Sequence, residues 1–213
     1  MTDQYPGYDV LAKRRTPSWN EKTREVINHR LVVPREPRFL SPELFAILDA
    51  ACRRIIPQPS DRPPVPLAAY VDTKLYEKKL DGFRYAQMPG QGEAYRQGLA
   101  GLEEAAQAQH GCAFTVLAPE AQDDILSQAQ QDKLSGGAWG GMSSEMFFKH
   151  RLMLDTVTAY YAHPTAWSEM GFGGPASPRG YVRMKLDRRD PWEAVEAKPG
   201  EENRARRENR DVR

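Results

Sequence analysis

The chain has 213 residues, enough for one domain with extensions or two very small ones. Apolar residues make up 40% and charged residues 28%, with a mean hydropathy of -0.69, so the core is modest for the length and part of the chain is left to solvent or a partner. A formal net charge of +1 supplies no global field for nucleic acid or an anionic membrane, and two cysteines, Cys52 and Cys112, give neither a disulfide framework nor a C-x-x-C metal or redox motif.

Residues 1–38 read as an extended arm with one short helical segment, 20–33. Arg14-Arg15 is followed by Thr16-Pro17-Ser18-Trp19-Asn20 instead of an apolar run, so no signal peptide is expected. No stretch approaches the ~20 apolar residues that cross a bilayer. On its own sequence the chain is expected to be soluble and cytoplasmic. The first strong helix begins at Ser41, with Pro42 and Glu43 in its first turn and Leu44, Ile47, Leu48, Ala51 and Ile55 at helical spacing until Pro57. Cys52 falls on that stripe as a small hydrophobe. A proline-rich connector (Pro57, Pro59, Pro63, Pro64, Pro66) leads to a second helix with Leu67, Tyr70, Val71 and Leu75 inward.

A third helix from Gly92 to His110 carries Tyr95, Leu99, Leu102 and Ala106. Gly98 and Gly101 weaken it unless another helix packs closely there. Pro119 opens a fourth helix. The loop Ser135–Met142 lacks a Gly-Lys-Ser/Thr sequence and reads as a mobile or partner-contacting loop with an exposed Trp139. The fifth helix, 144–162, is apolar over more than one face, which suits the centre of a bundle or a partner-covered surface. From Thr165 the texture becomes Gly- and Pro-rich with Trp167, Met170, Phe172 and Tyr181, a strap lying on another surface. The charged end, 201–213, reads as solvated helix or disorder. With no sustained period-two alternation, the fold class is all-α: a compact bundle of about five helices (39–164), an N-terminal arm (1–38), and an irregular C-terminal strap with a charged tail (165–213).

No catalytic motif stands out. None of His29, His110, His150 and His163 has a second ligand type at helical spacing, and His163 reads as a helix C-terminal cap. Glu103-Glu104 and Asp123-Asp124 read as solvated pairs.

The order of elements resembles a known family. Arg38-Phe39-Leu40-Ser41-Pro42-Glu43 leading into Arg54-Ile55-Ile56-Pro57 is similar to the opening of the gluconate 2-dehydrogenase subunit 3 family. Tyr95-Arg96-Gln97-Gly98-Leu99, the stretch Phe114–Gln122, Phe147-Phe148, and Tyr160-Tyr161-Ala162-His163-Pro164 follow in the matching order, covering about residues 39–175. The resemblance implies a small non-catalytic accessory subunit. Its partner would be an FAD-dependent dehydrogenase large subunit of the glucose–methanol–choline type, with a cytochrome c subunit in some assemblies. No cofactor is expected in this chain; the FAD sits in the partner. Family members often carry a twin-arginine signal, which this sequence lacks, so a periplasmic location would require co-export with a signal-bearing partner. The stretch 164–175 also departs from the family's usual ending. The expected partner surface is Trp139, Tyr160, Tyr161, His163, Pro164, Trp167, Met170, Phe172 and Tyr181. The alternatives are a stand-alone enzyme built on His163, Glu169 and Tyr160, or a regulatory or nucleic-acid adaptor using the arginine-rich tail.

Overall fold

The computed structural model describes residues 3–60, 62–79, 81–82, 85–180 and 189–212. A 3-10 helix, Val10–Arg15, precedes α1 (Glu21–Leu31), α2 (Pro42–Ile55), α3 (Leu67–Tyr76), α4 (Gln91–His110) and α5 (Pro119–Gln130). Then come α6 (Ser144–Phe147), a π-helical segment Phe148–Met153, α7 (Leu154–Tyr161), α8 (Pro164–Glu169) and α9 (Glu202–Arg210). Among the described residues there is no strand, only an isolated bridge between Trp19 and Ser177, so the fold is all-α as expected. The chain forms two compact units: Val33–Tyr160, and Met1–Val32 together with Tyr161–Arg213.

In the unit Val33–Tyr160, the Ser41 hydroxyl caps α2 by accepting the Leu44 N–H at 3.3 Å, and Ile47, Leu48, Ala51 and Cys52 are buried along one face. Asp72 of α3 sets the path into this helix. Its buried carboxylate accepts the backbone N–H groups of Arg38 at 2.7 Å, Phe39 at 3.1 Å and Leu40 at 2.9 Å. The proline-rich connector is tied by Gln58, whose amide donates to the Val65 carbonyl at 3.0 Å and accepts the Val65 N–H at 2.7 Å.

The longest helix, α4, buries Ala94, Tyr95, Leu99, Leu102, Ala105 and Ala106. Its two interior glycines are there for close approach, as their cost in helix propensity suggested. A Cβ on Gly98 would stand 2.5 Å from the Phe147 ring of α6, and one on Gly101 would stand 2.3 Å from the Trp139 ring. Trp139 is therefore not the exposed loop residue expected from sequence; it is only 2% exposed. Glu104 holds the loop in place, its carboxylate accepting the N–H groups of Gly137 at 3.2 Å and Ala138 at 3.1 Å. Glu103 accepts the Phe114 N–H at 2.9 Å, so neither glutamate is merely solvated.

The run 144–161 is helical throughout but not a uniform α-helix. Ser143 caps α6 through the Met146 N–H at 3.2 Å, and Asp132 accepts the Ser143 hydroxyl at 2.7 Å. The π-helical segment then widens the turn, the kind of insertion that often marks a functional site. Phe147, Phe148, Arg151, Leu152, Asp155, Thr156 and Tyr160 are buried, while Leu154 and Tyr161 remain exposed.

The second unit draws on both ends of the chain. Tyr8, Val10, Trp19, Ile27, Trp167 and Val212 form its core, so the arm and the strap are more ordered than their sequences suggested. The strap opens with α8 instead of irregular backbone. The charged tail forms α9, held by buried Asn209: its amide donates to the carbonyls of Pro6 at 3.0 Å and Val195 at 2.9 Å and accepts the Val195 N–H at 2.7 Å.

Gly101→Ala tests the seat of Trp139. The variant is expected to lose about 1–3 kcal/mol through overpacking, despite alanine's better helix propensity. Urea unfolding followed by tryptophan fluorescence measures this; an unchanged midpoint would show that Trp139 does not occupy that seat.

Candidate partner surface and a buried polar network

The sequence places His163 at a helix C-terminus. In the structure it opens α8 instead. Its backbone is extended (φ -90, ψ 139), Pro164 occupies the first helical turn, and Nδ1 accepts the Thr165 N–H at 3.2 Å. A helix N-terminus needs an acceptor, so the nitrogen used carries no proton. The cap is a lone pair and not the charged imidazolium expected from sequence.

Within α8, Trp167 is 5% exposed and organises its surroundings. Its Nε1–H donates to the Tyr161 carbonyl at 2.7 Å, and its own carbonyl accepts the Phe172 N–H at 2.8 Å. The Phe172 ring meets the indole edge-on at 5.9 Å, and the Arg30 guanidinium lies 5.6 Å from the indole centroid. Around this buried ring, Tyr161, Met170 and Phe172 stay 54%, 40% and 45% exposed. Of the other residues expected at a partner surface, Pro164 is buried in the same unit, His163 is half-buried, and Tyr160 and Trp139 are buried in the unit Val33–Tyr160. Tyr181 lies outside the described residues. The three residues of the catalytic alternative are divided: Tyr160 belongs to one unit, His163 and Glu169 to the other.

Lys13 is a buried cation in the same unit as α8, 1% exposed. Its ammonium donates to the Gly173 carbonyl at 3.3 Å and lies 5.8 Å from the Tyr8 ring centroid. Burial, and secondarily the charge of Arg179, lower its pKa from 10.5 to about 8.

In the unit Val33–Tyr160, a network that sequence reading missed joins two carboxylates to two cations. Lys74 donates to Asp81 at 2.6 Å and to Asp155 at 2.7 Å, and Arg151 donates to Asp81 at 2.9 Å. The Tyr95 hydroxyl donates to Asp155 at 2.8 Å, and the Gln91 amide approaches both carboxylates at 3.3 and 3.4 Å. Arg151, Asp155, Tyr95 and Gln91 are all buried. Burial opposes the charge on Lys74, but the hydrogen bonds it donates to Asp155 and Asp81 outweigh it and raise its pKa. Burial and the Asp155 charge hold the Tyr95 phenol well above its ordinary range, so it remains a donor. Beside the network, Cys52 Sγ lies 3.3 Å from Thr156 Oγ1, and burial pushes the thiol up to about 12, which keeps it a plain thiol. The signal was present in the sequence. Arg151 and Asp155 stand at i,i+4 inside the most apolar helix, as Gln91 and Tyr95 do on α4.

Among the described residues, no group of three or more His, Cys, Asp or Glu is placed to hold a metal, and no helix is long and apolar enough to cross a membrane.

Asp155→Asn strips one buried charge from a balanced, partly buried set and is expected to cost about 3 kcal/mol in denaturant unfolding. Removing Lys74 as well, by Lys74→Met, should recover part of that loss; strict additivity would show the two do not interact. For Lys13 the sign follows from its lowered pKa. Below about 8 both folded and unfolded states carry the proton, and the buried charge costs stability. Between about 8 and 10.5 only the unfolded state holds it, so stability rises with pH, by at most about 3 kcal/mol. Lys13→Met should remove that rise; parallel stability–pH curves for the two proteins would refute it.

Neither curated proteins nor solved structures give a match to the chain. A family model does: it matches residues 42–174, from α2 through the turn after α8, and carries the description gluconate 2-dehydrogenase subunit 3. That span exceeds half the chain and agrees with the run of motifs read from the sequence, so the chain belongs to the gluconate 2-dehydrogenase subunit 3 family.

Proposed function

We propose that the chain is a non-catalytic accessory subunit that binds and stabilises an FAD-dependent alcohol or sugar dehydrogenase of the glucose–methanol–choline type. In this reading the flavin and the chemistry reside in the large subunit, and a cytochrome c subunit receives the electrons. Family membership supplies the link to a dehydrogenase complex. The observation that carries the reading is the arrangement around Trp167. Trp167 fixes the backbone of Tyr161 through its indole N–H and that of Phe172 through its own carbonyl, yet the side chains of Tyr161, Met170 and Phe172 stay open to solvent. Apolar groups held rigid before binding lose little entropy when a partner covers them, and aromatic anchors of this kind dominate interface energetics. The enzyme alternative has less support, because one of the two ring nitrogens of His163, Nδ1, is engaged in capping α8.

Co-expression with an FAD-dependent dehydrogenase large subunit from the same genome tests the reading. The wild-type chain should co-purify with FAD-containing dehydrogenase, and Met170→Asp combined with Phe172→Asp should lower the recovered complex about tenfold or more without changing the melting of the chain alone. A wild-type chain that stays alone, or a double variant that binds equally well, would sink it.

A further inference from the structure

The unit built from both chain ends holds more buried donors than acceptors. Lys13 is 1% exposed, and its ammonium, with three N–H bonds to place, reaches one acceptor, the Gly173 carbonyl at 3.3 Å. Among the described residues it forms no ion pair, and neither does Arg179. The two cations feel each other: after burial, the Arg179 charge is what lowers the Lys13 pKa. The Arg179 guanidinium in turn lies 4.1 Å from the Trp192 ring centroid. Its Nη1 and the Trp192 Nε1 are both shut off from solvent, and neither has a hydrogen-bond partner. Glu193 pulls on Lys13 in the opposite sense, more weakly, and its Oε2 accepts the Asp190 N–H at 2.7 Å.

The backbone around these groups is tied down. The carbonyl of Lys13 accepts the Thr16 N–H at 3.0 Å, and Arg179 stands in a turn closed by the Gly180 N–H on the Ala176 carbonyl at 2.6 Å. Asn20 joins that turn to the arm, its N–H donating to the Ser177 carbonyl at 2.7 Å and its side-chain amide to Ser177 Oγ at 3.0 Å. Trp192 stands in a third turn, where the Glu193 N–H donates to the Asp190 carbonyl at 3.0 Å. Gly173 and Glu193 also line an open cavity of about 260 Å³, so solvent reaches the residue that Lys13 bonds and the carboxylate that acts on it. Buried N–H groups without acceptors are rare, and leaving them so beside unpaired charge is costly. A tetrahedral oxyanion supplies what is missing: negative charge for two cations, and acceptors in several directions for donors that come from three segments.

We propose that Lys13, Arg179 and Trp192 form a binding site for a small tetrahedral oxyanion, phosphate or sulfate, which ties the arm, the strap and the segment before α9 together. The inference is independent of the accessory-subunit reading. Calorimetric titration of the full chain with sodium phosphate tests it, in a phosphate-free buffer at neutral pH with sodium chloride holding the ionic strength constant. One saturable site is expected, and sulfate should compete for it. Lys13→Met, Arg179→Gln and Trp192→Phe should each weaken binding about tenfold or more. Trp192→Phe keeps a ring beside the guanidinium and changes no charge, so it serves should a cation variant melt lower. Lys22→Met, at an exposed lysine of α1, should bind as the wild type does. No saturable binding of either oxyanion, unchanged affinity in Trp192→Phe, equal loss in Lys22→Met, or tighter binding of acetate or chloride than of phosphate would each overturn the proposal.

Discussion

Two carboxylates and two cations, Asp81, Asp155, Lys74 and Arg151, lie together in the unit Val33–Tyr160, and most of that unit's geometry answers to their mutual satisfaction. Lys74 comes from α3, Asp81 from the loop after it, Gln91 and Tyr95 from α4, and Arg151 and Asp155 from the helical run that closes the unit. A shift of α3, its loop or the closing run would leave buried Arg151 or Asp155 without its ion-pair partner, which costs several kcal/mol, and a shift of α4 would strip hydrogen bonds from Asp155. Apolar burial drives the elements together, but it is tolerant of register. The charges are not, and they select one arrangement from many that would bury similar area.

The packing farther along α4 follows the same logic with different atoms. Gly98 and Gly101 remove two side chains so that Phe147 and Trp139 can stand against bare helix. Trp139 and Phe147 meet edge-on at 6.1 Å, and Tyr95 and Phe147 at 5.7 Å, so one aromatic cluster links the glycine-rich loop to the hydroxyl that serves Asp155. Polar network and aromatic seam thus share α4 as their common wall.

Much of this was legible in the sequence. Periodicity located α2, α3, α4 and α5 within a few residues, because their apolar stripes and Pro or Ser starts obey local rules. What failed to show depended on distant partners. Trp139 looked exposed because its loop is polar and glycine-rich, and nothing local reveals that Gly101 and Glu104 wait for it. His163 looked like the end of one helix; Pro164 marked it equally as the start of the next. The arm, strap and tail looked loose because each lacks a core, and their apolar residues find one another only across the length of the chain. Of the residues expected at a partner surface, Tyr161, Met170 and Phe172 are outward, while Trp167 works behind them as their mount.

The origin of the second unit from both chain ends has a consequence for synthesis. Every residue of Val33–Tyr160 is contiguous, so that unit has all its groups in hand once the ribosome has passed position 160. The other unit does not. Trp19 and Ile27 are made before that unit, but Trp167 follows it, and the clasp of Asn209 on Pro6 and Val195 comes later still. During elongation the apolar side chains of the first 32 residues therefore wait without the groups that will bury them. The order of translation makes this unit the late-maturing half of the protein, and it is the half that carries Tyr161, Met170 and Phe172.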